Sequence, residues 1–396
     1  MELRKINISD IGKIITGKTP RTSITENYGG DIPFLTPSDD LTRKHVVKTG
    51  KTLSFKGLNE VKNCLIPEKS ICVSCIGSDL GKVVMTNAPT VTNQQINSII
   101  VNDEFDPDFI YYLMKIVGRE LNFISKTSTA VPIINKSTFS NTEVFVPSLE
   151  NQIRIGEILS SIDDKIELNR QINDNLEQQL KLLYRSWFIE NKHPDSKEVC
   201  LSEIIYFQEG PGIRNWQYVE KDGIKFINIR CIEGGDINLT TANMISEEEA
   251  NGKYAHFMLK PFDIIMSCSG TLGRYAIVRK EHLPLCLNTS VIRFSPNRSE
   301  SDYSYIYGYL ASEEFLNKQV EMACGSVQAN FGPTHLKQIK IIAPPIDYCK
   351  SYHTAAMPII SKILENRREI QHLGKLRDTL LPKLMSGELK INEIDC

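Results

Sequence analysis

The chain has 396 residues, 41% of them hydrophobic and 24% charged, and a formal net charge of −2. That length exceeds one ordinary domain, and the composition excludes a disordered or collagen-like chain and a disulfide-stapled mini-protein. The near-neutral charge argues against a free-standing nucleic-acid binder, whose footprint usually carries a basic excess.

The start, MELRKINISD, lacks the apolar core of a secretory signal, and no run approaches the ~18 apolar residues of a membrane span. A cytoplasmic protein with no membrane contact is expected. The ten cysteines are scattered, most of them in strand-like runs such as ICVSC and IIMSC, and read as reduced core thiols. Cys72 and Cys75 have CxxC spacing, but no second pair and no nearby His completes a tetrahedral site, so no metal is expected.

The first motif, GKIITGKT from Gly12 to Thr19, satisfies the phosphate-loop pattern GxxxxGK[ST]. A working phosphate loop needs a helix immediately after it, with its N-terminus facing the phosphates. Here Pro20 follows the threonine, and RTSITENYGGD has no helical period. A Gly-Pro turn is expected, and a nucleotide hydrolase is kept only as an alternative. No GxSxG, HExxH or Asp/Asn-Pro-Pro-aromatic segment is present, and no histidines cluster at metal-ligand spacing.

Short β-branched runs (IPFL, SICVSCI, INSIIV, EVFVP) predict strands. A helix is predicted with Asp106 as N-cap and Pro107 in its first turn, continuing through FIYYLMKIVGREL. From Gln152 to about Glu190 apolar residues recur at Ile155, Leu159, Ile162, Ile166, Ile172, Leu176, Leu180, Leu183 and Trp187. That is a coiled-coil-like seam on a helix roughly 60 Å long, with Asn169 as a polar register residue. Ile153, Ile158, Leu168, Leu182 and Phe188 lie off the seam and suggest partner helices. A C-terminal helix repeats the device with Met357, Ile360, Leu364, Ile370, Leu373, Leu376, Leu380 and Leu384, stops at Gly387, and is expected to kink at Pro382. The two helices would pair antiparallel, with globular heads at opposite ends of a rod.

The first half recurs in the second at an offset of about 192 to 198 residues. LIPEKSICVSCIGSDLGKVVM lies over LKPFDIIMSCSGTLGRYAIV, TNQQINSI over LNTSVIRF, and DFIYYLM over SYIYGYL. Ser74, Cys75 and Gly77 pair with Ser267, Cys268 and Gly270, and Gly81 and Lys82 with Gly273 and Arg274. The fold class is therefore α+β: two pseudo-repeated mixed α/β domains separated by two long antiparallel coiled-coil-like helices. The expected boundaries are 1–149, a helix over 150–197, 198–345, and a helix over 346–396.

Over essentially its full length the chain resembles the specificity subunits of type I restriction-modification systems. The resemblance rests on the tandem copies and on the Gly-Lys-Thr-Pro turn of Gly17 to Pro20. It rests further on NKSTFSNTEVFVPSLENQIRIGEIL from Asn135 to Leu159, LLYRSWF from Leu182 to Phe188, and LRDTLLPKLMSGEL from Leu376 to Leu389. It implies a non-catalytic subunit in which each target-recognition domain reads one half of a bipartite DNA target and the helices set the gap. Two methyltransferase subunits using S-adenosylmethionine would dock on the helices, and restriction subunits would supply ATP- and Mg-dependent translocation and cleavage. Partners that clamp the duplex would provide phosphate neutralisation that this chain lacks. A coiled-coil scaffold that never touches DNA is the other alternative.

Base readout needs exposed Arg, Lys, Asn, Gln, Ser or Thr beside groups that hold phosphates. In the first copy the candidates are Lys18, Thr19 and Arg21, the loop from Gly77 and Ser78 to Lys82, and Ser128, Thr129 and Lys136. In the second they are Arg214, Asn215, Arg230, the loop of Ser269, Thr271 and Arg274, and Ser326, Gln328 and Asn330. Each also fits a solvated turn. Ile162, Ile166, Leu176, Leu183, Trp187, Phe188, Ile363, Ile370, Leu380 and Leu384 are the candidate partner-binding residues of the helices.

Overall fold

The structure, a computed structural model, describes residues 2–46, 48–125, 133–323 and 331–389. The chain divides into two compact units, Met1–Leu168 with Ile370–Cys396, and Asn169–Glu369.

In the first unit four antiparallel strands, β1 (Gly12–Thr16), β2 (Ile71–Ser74), β3 (Val83–Met85) and β4 (Ile96–Val101), order as β1-β4-β2-β3. Thr16 faces Asn97, and Ile71 faces both Ile99 and Met85. Alternation assigns the two sides. Ile71 and Val73 turn to helices, α2 (Pro107–Ser125) and α3 (Leu149–Tyr184), and Cys72 turns to a smaller sheet that contributes Leu35 and Ile66. That smaller sheet is built from Lys51–Leu53, Tyr28–Leu35, Thr90–Thr92 and Leu65–Ile66, with a short helix α1 (Phe55–Glu60) beside it. α2 begins as expected, since Asp106 Oδ1 accepts from Phe109 N at 2.8 Å.

The second unit repeats the plan. β5 (Ile205–Glu209), β6 (Ile264–Ser267), β7 (Tyr275–Ile277) and β8 (Val291–Pro296) order as β5-β8-β6-β7. Its second sheet orders as Tyr218–Val219, Asn243–Ser246, Gly223–Ile227 and Leu285–Leu287. Helices α4 (Glu247–Asn251) and α5 (Tyr303–Leu310) stand where α1 and α2 stand in the first copy. In both copies the smaller sheet contains one parallel pair, Phe34 beside Val91 and Phe226 beside Cys286. Each copy is closed by its own ladder: Arg4–Asn7 pairs with Glu143–Val146, and Lys197–Cys200 with Lys340–Ala343.

α3 continues as a π-helical turn over Arg185–Glu190, and α6 (Ile346–Ser386) forms the C-terminal helix. α6 runs through Pro358 and Pro382 and ends at Ser386, with Gly387 at φ +74 in the helix-stopping position expected of it. Within each unit the two long helices pack antiparallel. In the second, Asn169 Nδ2 donates to Glu369 Oε2 at 2.9 Å and Phe188 stacks edge-on against Tyr352 at 4.7 Å. In the first, Ile155 and Leu159 share a core with Leu381 and Leu384, and Asp163 pairs with Arg377.

Candidate nucleic-acid interface

After β1 the chain turns hard against the segment 92–96. Gly17 N donates to Ile96 O at 3.1 Å and Lys18 N to Thr92 O at 2.9 Å. A Cβ on Gly17 would overlap the carbonyl oxygens of Thr92 and Asn93, so only glycine permits this approach. Asn93 shapes the facing loop through its side chain, which accepts from Gln95 N at 3.1 Å. Cys75 N then donates to Gln95 O at 2.8 Å, and Ile134 N to Cys75 O at 2.9 Å. Four loops, 17–19, 92–96, 75–82 and 133–136, therefore meet at one end of the sheet.

The second unit builds the same junction from different side chains. A Cβ on Gly210 would stand 2.5 Å from the Leu287 carbonyl. Asn288 Oδ1 accepts from Ser290 N at 2.8 Å. Cys268 N donates to Ser290 O at 3.0 Å and Phe331 N to Cys268 O at 2.8 Å. The sequence reading did not include 92–95 or 288–290 among the candidates. The signal was present: Asn93 and Asn288 align within the repeated segment, and each organises its loop with its own side chain.

Lys18, Ser78, Lys82 and Lys136 are exposed at the first junction, and Thr271 and Arg274 at the second; Arg21, Arg214, Asn215 and Arg230 are exposed too, but Arg21 is bonded to α1, and Arg214 through Gln217 to α4, away from the junctions. Thr19, Gly77 and Ser269 are half-buried. Ile229 lies against Gly270, which sets the neighbouring Arg230 beside the Ser269–Arg274 loop. Ser128, Thr129, Ser326, Gln328 and Asn330 lie outside the described residues.

Several of the candidates already have partners. Thr19 Oγ1 donates to Gln94 Oε1 at 2.7 Å, and Lys82 Nζ pairs with Asp79 at 2.5 Å. Arg21 clasps Glu60 of α1 through its side chain and its backbone N–H, and these bonds hold the Glu60 carboxyl down at about 2. Such local pairing is consistent with a surface of little net charge.

The phosphate-loop pattern is used structurally. The amides of Gly17 and Lys18 are bonded to backbone carbonyls, and the next helical residues are only a single turn at Thr25–Asn27. Cys72 and Cys75 face different cores, with Cys72 near Ser98 Oγ at 3.5 Å and Cys75 near Asn97 Nδ2 at 3.3 Å. Burial pushes their thiols up to about 12 and about 11, and such thiols are poor metal ligands. Among the described residues no group of three His, Cys, Asp or Glu is arranged to hold a metal, and no helix is long and apolar enough to cross a membrane.

Of the helix residues picked out for partner binding, Ile162, Ile166, Phe188, Ile363 and Leu384 are buried in the chain's own cores. Leu176, Leu183, Trp187, Ile370 and Leu380 are half-buried. The seam thus holds the chain's own helices together. What the helices leave in solvent is a different set, Leu149, Ile153, Leu168, Leu182, Ile189, Ile346 and Leu376, of which Leu182 is 66% exposed. Position relative to the seam does not by itself decide exposure, since Leu376 lies on it and is exposed whereas Phe188 lies off it and is buried.

Two stretches, residues 2–178 and 194–367, match the family model described as the type I restriction modification DNA specificity domain. The MjaIX specificity subunit of Methanocaldococcus jannaschii is 29% identical over 411 aligned positions, covering 98% of this chain and 93% of that protein. The HindI specificity subunit of Haemophilus influenzae is 43% identical over a shorter stretch, 36% of this chain and 31% of that protein. Among solved structures, the S subunit of a type I restriction-modification system from M. genitalium superposes with a TM-score of 0.56 at 19% identity, covering 97% of this chain and 96% of that one.

Proposed function

The chain belongs to the family of type I restriction-modification DNA specificity subunits, and on that premise we propose that its two sheet-end junctions read the two halves of a split DNA target. The recognition domains would be residues 1–149 and 198–345, with spacer helices over 150–197 and 346–396 fixing the unread gap. As a specificity subunit the chain is non-catalytic within its enzyme. Two methyltransferase subunits would dock on the helices and use S-adenosylmethionine, and restriction subunits would use ATP and Mg. The complex would act in the cytoplasm, where the DNA is.

The observation that carries this reading is the doubled junction. Four loops converge at equivalent sheet ends in both units, yet the side chains they present differ: Lys18, Thr19 and Gln94 in one, and Thr271, Arg274 and Thr289 in the other. A shared frame with divergent polar tips is what two readers of different sequences require, because backbone contacts position and base contacts specify. The phosphate-loop alternative is disfavoured by the bonded amides of Gly17 and Lys18, and the DNA-free scaffold by the family itself.

The test is co-expression with the cognate methyltransferase subunit in a methylation-free host, followed by mapping of N6-methyladenine. One split motif is expected, and exchanging residues 1–149 alone should change only one half of it. A soluble, assembled complex that leaves no new methylation would overturn the reading.

A further inference from the structure

Apart from Phe123 of α2, each unit carries a strongly exposed aromatic side chain on a segment bonded to, or adjoining, the candidate residues that follow the first strand of its main sheet. In the second unit this is Trp216, 81% exposed, in the single helical turn Asn215–Gln217. In the first it is Phe55, 74% exposed, at the first position of α1. Neither ring stacks on another aromatic among the described residues.

In each unit polar bonds strap the loop after the first strand of the sheet to the short helix that follows, with Trp216 on the loop side of the strap and Phe55 on the helix side. In the second unit Arg214 N donates to Gln217 Oε1 at 2.9 Å, and Gln217 Nε2 donates to Glu249 Oε1 of α4 at 3.0 Å and to the Tyr254 hydroxyl at 3.2 Å. In the first, the Arg21 guanidinium bonds Glu60 of α1 at 2.8 Å. The two helices have equivalent serine caps, with Ser54 Oγ accepting from Gly57 N and Ser246 Oγ from Glu249 N. A mobile loop that happened to expose an aromatic would not need these straps. Here the backbone under each ring is fixed, so little conformational freedom remains to be lost when the ring meets a surface.

The neighbouring charges indicate what that surface is. Arg214 lies two residues before Trp216, and Lys56 follows Phe55 directly; both are exposed. A cation that holds a phosphate beside a flat apolar ring suits a duplex, where such a ring meets a base through the thymine methyl in the major groove or through a face exposed by unstacking a base step. We infer that Trp216 and Phe55 are specificity-determining DNA contacts, each laying its ring against the apolar surface of a nucleobase in its own half of the target. This rests on the DNA-reading function proposed above and adds to it the residues that make the non-polar contact.

The experiment uses the complex of the full chain with its methyltransferase subunits and the duplex identified by methylation mapping. Trp216→Ala and Phe55→Ala should each weaken binding to that duplex by about ten- to a hundredfold, while assembly, thermal stability and binding to an unrelated duplex stay at wild-type levels. Trp216→Phe and Phe55→Tyr should recover most of the loss. Replacing thymines one at a time by deoxyuridine, or single bases by 2-aminopurine, then identifies the contact: a loss seen in wild type and absent in the alanine variant marks a methyl, and a 2-aminopurine fluorescence change that disappears in the variant marks a stacked base. Wild-type affinity and methylation in both alanine variants would overturn the inference, as would an equal loss on unrelated DNA. A wild-type complex with no sequence preference would instead overturn the DNA-reading function on which the inference stands.

Discussion

Gly81 and Gly118 meet backbone to backbone, so that a Cβ placed on either would overlap the carbonyl oxygen of the other. Gly81 ends the loop that runs from Gly77 to Lys82, and Gly118 lies in the middle of α2. The contact therefore sets the height of a candidate reading loop above the helix that supports its sheet.

Gly118→Ala is expected to destabilise the first unit by about 1–3 kcal/mol through overpacking, although alanine is the better helix former. Gly81→Ala should cost more, because Gly81 also has φ +86. Chemical denaturation measures both, and a Gly118→Ala variant as stable as wild type would show that the loop moves freely over α2.

In the second unit Asn366 Nδ2 donates to Asn173 Oδ1 at 2.8 Å and Asn173 Nδ2 to Ile363 O at 3.2 Å, with all of these groups buried. Asn173→Ala should cost about 1–3 kcal/mol, because it leaves the Asn366 amide without its partner. Asn173→Leu with Asn366→Leu should recover that loss while relaxing the helix register. The readout is the gap of the methylated motif, expected to become heterogeneous in the double variant and to stay single in wild type.

Arg274 and Lys18 are exposed at equivalent ends of the two sheets. If they hold phosphates, Arg274→Ala and Lys18→Ala should weaken all duplexes about equally and reduce the slope of log K against log salt by about 1 each. Titrations at three salt concentrations decide this. A change confined to one base position would move the residue from phosphate holding to base readout.

Lys115 sits on α2 with its ammonium 5.5 Å from the Tyr111 ring, and its pKa falls to about 8, first through burial and then through the nearby Arg377. A lysine with a depressed pKa destabilises the fold while it is charged in the folded state. Between about pH 8 and its ordinary value the unfolded chain binds more protons, so stability should rise with pH across that window. Lys115→Met should raise stability at pH 7 by on the order of 1–3 kcal/mol and flatten the rise. Melting curves from pH 7 to 10 test it, and a wild-type profile that falls across the window would contradict the sign.

Leu182 and Leu376 are exposed on the long helices. Leu182→Asp and Leu376→Asp should leave the melting temperature nearly unchanged, since neither side chain is buried, yet abolish co-purification with the methyltransferase subunit. Retained co-purification would place the docking face elsewhere on the chain.

The tandem plan was legible because periodicity and self-similarity are properties of the sequence alone. The strands around Ile71–Ser74 and Ile264–Ser267, the Asp106 cap and both long helices stand where their patterns placed them. The phosphate-loop pattern was discounted on its context, and Gly17 proved to be a close-packing glycine. What the sequence hid was exposure. Ile166 and Leu376 both lie on the apolar seams of the long helices, yet the first is buried and the second exposed. The Asn93 loop could have been read from its alignment with Asn288; what the sequence did not show is that its backbone receives the turn at Gly17 and Lys18.

The ladders that close each copy have a consequence for how such proteins acquire new targets. Because Arg4–Asn7 pairs with Glu143–Val146, and Lys197–Cys200 with Lys340–Ala343, the point where the chain enters a recognition domain lies one strand spacing from the point where it leaves. Exchanging the segment between the two ladder strands of one copy would then leave the other copy's core untouched. If each copy reads its own half of the target, as proposed, such an exchange would change one half and leave the other intact.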